Sequence, residues 1–133
     1  MKRKHVILLT ILILIIGAAA AVVGAKAYIE TNLEKVAELS IPDVDLTKLE
    51  DGVYTGSFNA FPVAAEVRVT INDYKITEIE LVKHSHGQGA SAEVIPGKVV
   101  EAQSLEVDAV SGATYSSKVI LKAIENALTG TVK

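Results

Sequence analysis

The chain contains no cysteine and no tryptophan. Without cysteine there is no disulfide, no thiolate metal site, no iron–sulfur ligation and no lipidated cysteine. Any redox chemistry must therefore come from a bound cofactor. Proline is scarce, with three in 133 residues, so each one reads as a boundary marker. Positive charge is in deficit: 13 Lys and Arg face 16 Asp and Glu, for a net charge of −3. Lys2, Arg3 and Lys4 cluster at the N-terminus, so the rest of the chain is more acidic still. Such a balance excludes the basic footprint of a nucleic-acid partner. No Gly-x-Gly-x-x-Gly, P-loop or nucleophile elbow is present, which argues against a dinucleotide fold, a nucleoside-triphosphate fold and a hydrolase. Ser111, His84 and Asp108 supply the residue types of a triad, but nothing marks them as one.

Half of the residues are hydrophobic, and many of them fall in one place. Residues 6–25 carry no charge. Twenty residues at about 1.5 Å rise span about 30 Å, the hydrocarbon thickness of a bilayer. Basic residues before this stretch and mixed charge after it predict a single-pass anchor, its N-terminus cytoplasmic and its body on the extracytoplasmic face of the cell membrane. The alternative is a signal peptide cleaved at Ala25-Lys26-Ala27. Residues 26–39 continue as a helix, with Tyr28 suited to a membrane interface; Leu33, Val36 and Leu39 offer a narrow apolar stripe, and a solvated spacer helix is the other reading. Ile41-Pro42 ends it, and residues 43–50 read as an extended lead-in. The expected organisation is an anchor at 1–25, a helical and extended linker at 26–50, and a domain at 51–130.

The domain opens with strands. Residues 52–59 are rich in Thr, Tyr, Phe and Val, with Gly56 read as a bulge. Ala60-Phe61-Pro62 makes a turn. Val63, Ala65, Val67, Val69 and Ile71 alternate with Glu66, Arg68 and Thr70, the period of a half-buried strand. Asn72-Asp73 turns the chain into a partner strand at 75–83. A short helix at 90–95 is stopped by Pro96-Gly97, and a second covers 98–103. Val119, Ile120, Ala123, Ile124, Ala127 and Leu128 recur at helical spacing over 116–128, leaving Lys118, Lys122, Glu125 and Asn126 on the other face. Gly130 provides the stop. The fold class is α+β: a transmembrane helix, then a small antiparallel sheet packed against short helices and a C-terminal helix.

Just before that last helix stands Asp108-Ala109-Val110-Ser111-Gly112-Ala113-Thr114-Tyr115-Ser116-Ser117. Small residues leave the backbone open, and hydroxyls crowd together. A helix start offers free N–H groups and the positive end of its dipole, so it is an anion site. The same residues also suit an ordinary capped helix, with Ser111 or Thr114 as the cap and Gly112 at positive φ. Local chemistry leaves both readings open.

Asp108-x-x-Ser111-Gly112-Ala113-Thr114 resembles the flavinylation motif of the FMN-binding domain family, which includes the C-type subunit of the sodium-pumping NADH:quinone reductase and the G-type subunit of Rnf complexes. Asp51-Gly52-Val53-Tyr54-Thr55-Gly56 resembles the opening strand of that family, and the likeness runs to Leu128. The resemblance implies FMN held through a phosphoester on Thr114, with Ser111, Gly112, Ala113, Asp108, Tyr115, Ser116 and Ser117 around it. It implies a flavin transferase as partner, using FAD as donor with a divalent metal, and Asp108 as the acid of the segment that the transferase reads. His84-Ser85-His86-Gly87-Gln88-Gly89 stands where family members carry a Gly-rich loop bordering the flavin ring, although the Thr-Pro step common there is absent. That places His84, His86, Gly87 and Gly89 among the cofactor-binding candidates. Two histidines at this spacing share a strand face but do not make a metal site, and a plain polar loop is the other reading. The function so implied is a membrane-anchored electron carrier without turnover of its own, meeting redox proteins or a quinone-linked complex. The alternatives are a non-covalent flavin sensor and a cofactor-free anchored binding module.

Overall fold

The computed structural model describes residues 2–85 and 89–130. The chain divides into two units, Met1–Asn32 and Leu33–Lys133. Helix α1 covers Lys2–Ala37. Within the first unit its side chains stand exposed, from Val6 through Val23. It is long and apolar enough to cross a membrane.

The second unit is built on three antiparallel strands in the order β1-β2-β3: Gly52–Ala60, Val63–Asn72 and Lys75–Ser85. The alternation read in β2 holds, since Val63, Ala65, Val67, Val69 and Ile71 are all buried on one face. Phe61-Pro62, a cis peptide, joins β1 to β2. The second hairpin turns on Asp73 and Tyr74, both at positive φ, one residue later than Asn72-Asp73. Positive φ at both central residues is what a tight turn matching the strand twist requires.

A 3-10 turn at Ala90–Val94 leads directly into α2, Ile95–Ala102. The expected stop at Pro96-Gly97 is therefore corrected. Pro96 sits in the first turn of α2, where its missing N–H costs no hydrogen bond and its fixed φ already suits a helix. Gln103 ends α2 in the left-handed region, and its side chain clamps the β3 edge. Its Oε1 accepts from the Ile76 N–H at 2.8 Å, and its Nε2 donates to the Ile76 carbonyl at 2.7 Å.

Helix α3 spans Thr114–Thr129 and packs on β1 and β2. Val119, Ile120, Ala123, Ile124, Ala127 and Leu128 are buried beneath it. Full burial of a Val, Ile or Leu side chain contributes about 1.5–3 kcal/mol. The polar face is less open than its residue types suggest. Asn126 is buried and donates from Nδ2 to the Ser57 carbonyl of β1 at 2.9 Å.

Gly56 is not a bulge. The β1–β2 register runs unbroken through Gly56↔Val67, and the register shifts lie between β2 and β3. A Cβ on Gly56 would stand 2.3 Å from the Ala127 nitrogen and 2.4 Å from the Ala123 carbonyl oxygen. Glycine is there because α3 rests directly on the strand backbone.

Residues 33–50, expected as linker, lie on this core. Val36 is 3% exposed, and Leu39, Ile41, Val44, Leu46 and Leu49 pack half-buried against the core. Asp43 fastens the segment to the chain after α2. Its Oδ1 accepts from the Leu105 N–H at 3.0 Å, and its Oδ2 accepts from the Ser104 hydroxyl at 2.8 Å. Partial burial pushes the Asp43 carboxyl up. The hydrogen bonds from Leu105, Ser104 and Val44 together outweigh that effect and hold it below its ordinary value. Lys118 of α3 adds a bond from Nζ to the Leu39 carbonyl at 3.1 Å.

Candidate functional site

The loop entering α3 is a tight turn. The Ala113 N–H donates to the Val110 carbonyl at 2.9 Å, and Gly112, at the third position, has φ +80°. That position of such a turn requires positive φ, which glycine adopts without steric cost. Ser117 locks the turn from inside the helix. At 0% exposure, its hydroxyl accepts from the Val110 N–H at 2.9 Å and donates to the Ala113 carbonyl at 2.7 Å. Ser117, expected at the cofactor, spends its hydroxyl on the scaffold.

The expected cap at Ser111 or Thr114 is corrected. Ala113 is the N-cap residue, with φ −135° and ψ 39°, and no side chain caps this end. Thr114 is the first helical residue, two positions earlier than the expected start. The first intrahelical bond is donated by Ser117 to Ala113. The N–H groups of Thr114, Tyr115 and Ser116 therefore precede the hydrogen-bond ladder and, among the described residues, receive no acceptor from a capping side chain. Thr114 itself is exposed, as are Ser111 and Gly112. An exposed threonine thus stands at a helix start that has no side-chain cap.

Beside it opens a cavity of about 260 Å³ lined by Leu33, Pro62, Val63, Gly89, Gly112, Ala113, Tyr115 and Ser116. Its walls come from four parts of the sequence: the end of α1, the β1–β2 turn, the segment before α2, and the motif. Most of that lining is hydrocarbon, and Ser116 and Tyr115 bring the hydroxyls. Tyr115 is 39% exposed, so one part of its ring is in solvent.

The remaining expected residues are scattered. Asp108 is exposed and lines a different cleft, of about 430 Å³, with Lys98, Glu101, Ala102, Glu106 and Val107. The His84 side chain is 2% exposed, with Nδ1 3.2 Å from Glu93 Oε1. Its partner Glu93 belongs to the 3-10 turn, and His84 does not line the cavity. Gly89 does line it, whereas His86 and Gly87 lie outside the described residues. Leu33, Pro62 and Val63 were not foreseen as site residues. Pro62 and Val63 read locally as turn and strand, and Leu33 as helix, and only the tertiary fold brings them to the motif.

Known proteins offer an independent comparison. The model of the FMN-binding domain matches residues 63–129. The chain is 28% identical over 134 aligned residues to an uncharacterized protein of Treponema pallidum (strain Nichols), covering 96% of this chain and 37% of that one. It is 34% identical over 84 residues to an NADH:acrylate oxidoreductase of Vibrio harveyi, covering 61% of this chain and 8% of that one. The chain thus spans little more than a third of the first relative and under a tenth of the second. The motif, the fold beneath it and the family match, which takes in half of the sequence, lead to one assignment: the chain belongs to the FMN-binding domain family.

Proposed function

We propose that this protein is a membrane-anchored extracytoplasmic electron carrier with FMN esterified to Thr114. The observation that carries the reading is the exposed Thr114 at the start of a helix that has no side-chain cap. A phosphodiester, which keeps one negative charge and two free oxygens after esterification, suits such a place. The open N–H groups of Thr114, Tyr115 and Ser116 would donate to its free oxygens, and the helix dipole favours its charge by about 0.3–1 kcal/mol. The cavity suits one end of a flavin. At about 260 Å³ it falls just below the roughly 300–1,000 Å³ of sites that enclose whole ligands, so it would seat part of the ring system and leave the rest accessible.

Attachment balances as a phosphoryl transfer. The Thr114 oxygen forms a bond to the FMN-side phosphorus of FAD, the pyrophosphate P–O bond breaks, and AMP departs. The hydroxyl proton passes to a base of the transferase, and a divalent metal neutralises the phosphates. FMN, once bound, supplies one- and two-electron transfer. The chain's own residues hold it: Ser117 and Gly112 fix the turn, Thr114 carries the ester, and Tyr115 and Ser116 border the cavity. A dipole contribution of this size would retain a free flavin weakly outside a cell, and a covalent bond prevents its loss by diffusion. The relative named an NADH:acrylate oxidoreductase favours redox work over a cofactor-free binding role. The proposed partners are the transferase, the membrane, and redox proteins or a quinone-linked complex. No catalytic turnover is assigned to this chain.

Intact mass of the full chain, made with and without a flavin transferase, tests the reading. The expected result is a gain of one FMN minus water, abolished by Thr114→Ala and kept by Thr114→Ser. An unmodified mass with yellow colour lost on denaturation would replace it with non-covalent binding. No colour under any condition would leave a cofactor-free module.

A further inference from the structure

We propose that Leu33, at the end of α1, is a wall of the flavin seat, so that the cofactor site extends beyond the family domain into the segment that follows the anchor. The inference rests on the reading of Thr114 as the attachment point. Leu33 lies 30 positions before the first residue matched to the family, yet it lines the same cavity as Ala113, Tyr115 and Ser116. Its place there is held. Val36, one helical turn on and on the same face, is buried in the core. Beyond it, Lys118 bonds the Leu39 carbonyl, and Asp43 bonds Ser104 and Leu105. A segment fastened at three points cannot withdraw Leu33 without breaking those contacts.

The chemistry of the lining says which part of a flavin meets it. The pyrimidine edge of isoalloxazine carries carbonyls and an N–H that need polar partners, and burying them unpaired is costly. The dimethylbenzene end needs none. Leu33, Pro62, Val63 and Ala113 offer hydrocarbon, so they fit the dimethylbenzene end. The polar edge would then face away from Leu33.

The test uses the full chain in detergent, loaded by the transferase, with intact mass to count FMN and visible circular dichroism of the flavin as the readout. Leu33→Ala should keep the FMN mass and change the visible dichroism of the flavin. Ile76→Val, a core change at the opposite end of β2 and β3, should lower the melting temperature and leave that spectrum as it was. If Leu33→Ala carries FMN and gives the spectrum of the original protein, the inference falls while the reading of Thr114 stands. If Ile76→Val alters the spectrum as strongly, the effect is one of stability and the inference falls again. If the original protein carries no FMN, both fall together. Should Leu33→Ala fail to fold, Leu33→Gln keeps most of the volume, replaces the hydrocarbon wall with an amide, and is read against the same two outcomes.

Discussion

Gly56 meets α3 backbone to backbone, and no other residue type fits that contact. A methyl group there would overlap the Ala127 nitrogen and the Ala123 carbonyl oxygen, neither of which is the movable end of a side chain. Overpacking of that kind costs about 3 kcal/mol, the upper part of the usual range. In a domain of this size, Gly56→Ala should lower the melting temperature by roughly 12–24 °C in scanning calorimetry. A shift below about 2 °C would mean that α3 can slide away from β1 at little cost. Ser117 shows the opposite economy, since one small hydroxyl serves as both donor and acceptor and holds the turn and the helix together.

Among the elements, the strap at 33–50 depends on a carboxylate. Asp43 has its pKa lowered in the folded state, so its contribution to stability is present above the ordinary carboxylate value of about 4. It is lost as pH falls through the lowered value. Urea melts across that range should show a steep acid limb for the original protein and a shallower one for Asp43→Asn, which starts less stable near neutrality. Equal acid limbs would show that the carboxylate is not what fastens the strap. The strands and α3 were legible because their apolar periods of two and 3.6 are local properties. What sequence missed was set by contacts between elements. Pro96 looks the same whether it stops one helix or opens the next. Gly56 was read as a bulge because only the helix laid across it reveals the need. Asn126 looked solvent-facing until β1 supplied the Ser57 carbonyl. At the site, the motif and Gly112 were legible. The cavity was not, because Leu33, Pro62 and Val63 arrive from far along the chain.

At the scale of the whole molecule, an apolar helical stretch precedes an acidic domain. With three basic residues ahead of that stretch, protease added outside spheroplasts should digest the domain and spare an N-terminal tag. Survival of the domain under those conditions would reverse the proposed orientation. Asp108 and the cavity-lining part of the motif border separate clefts, although only residues 109–111 lie between them in sequence. On the proposed reading, an attaching enzyme that recognises both would have to reach into two clefts at once. So broad a footprint would cover the flavin seat for as long as it is held. Were electron delivery to use the same face, loading and delivery would be successive tenancies of it.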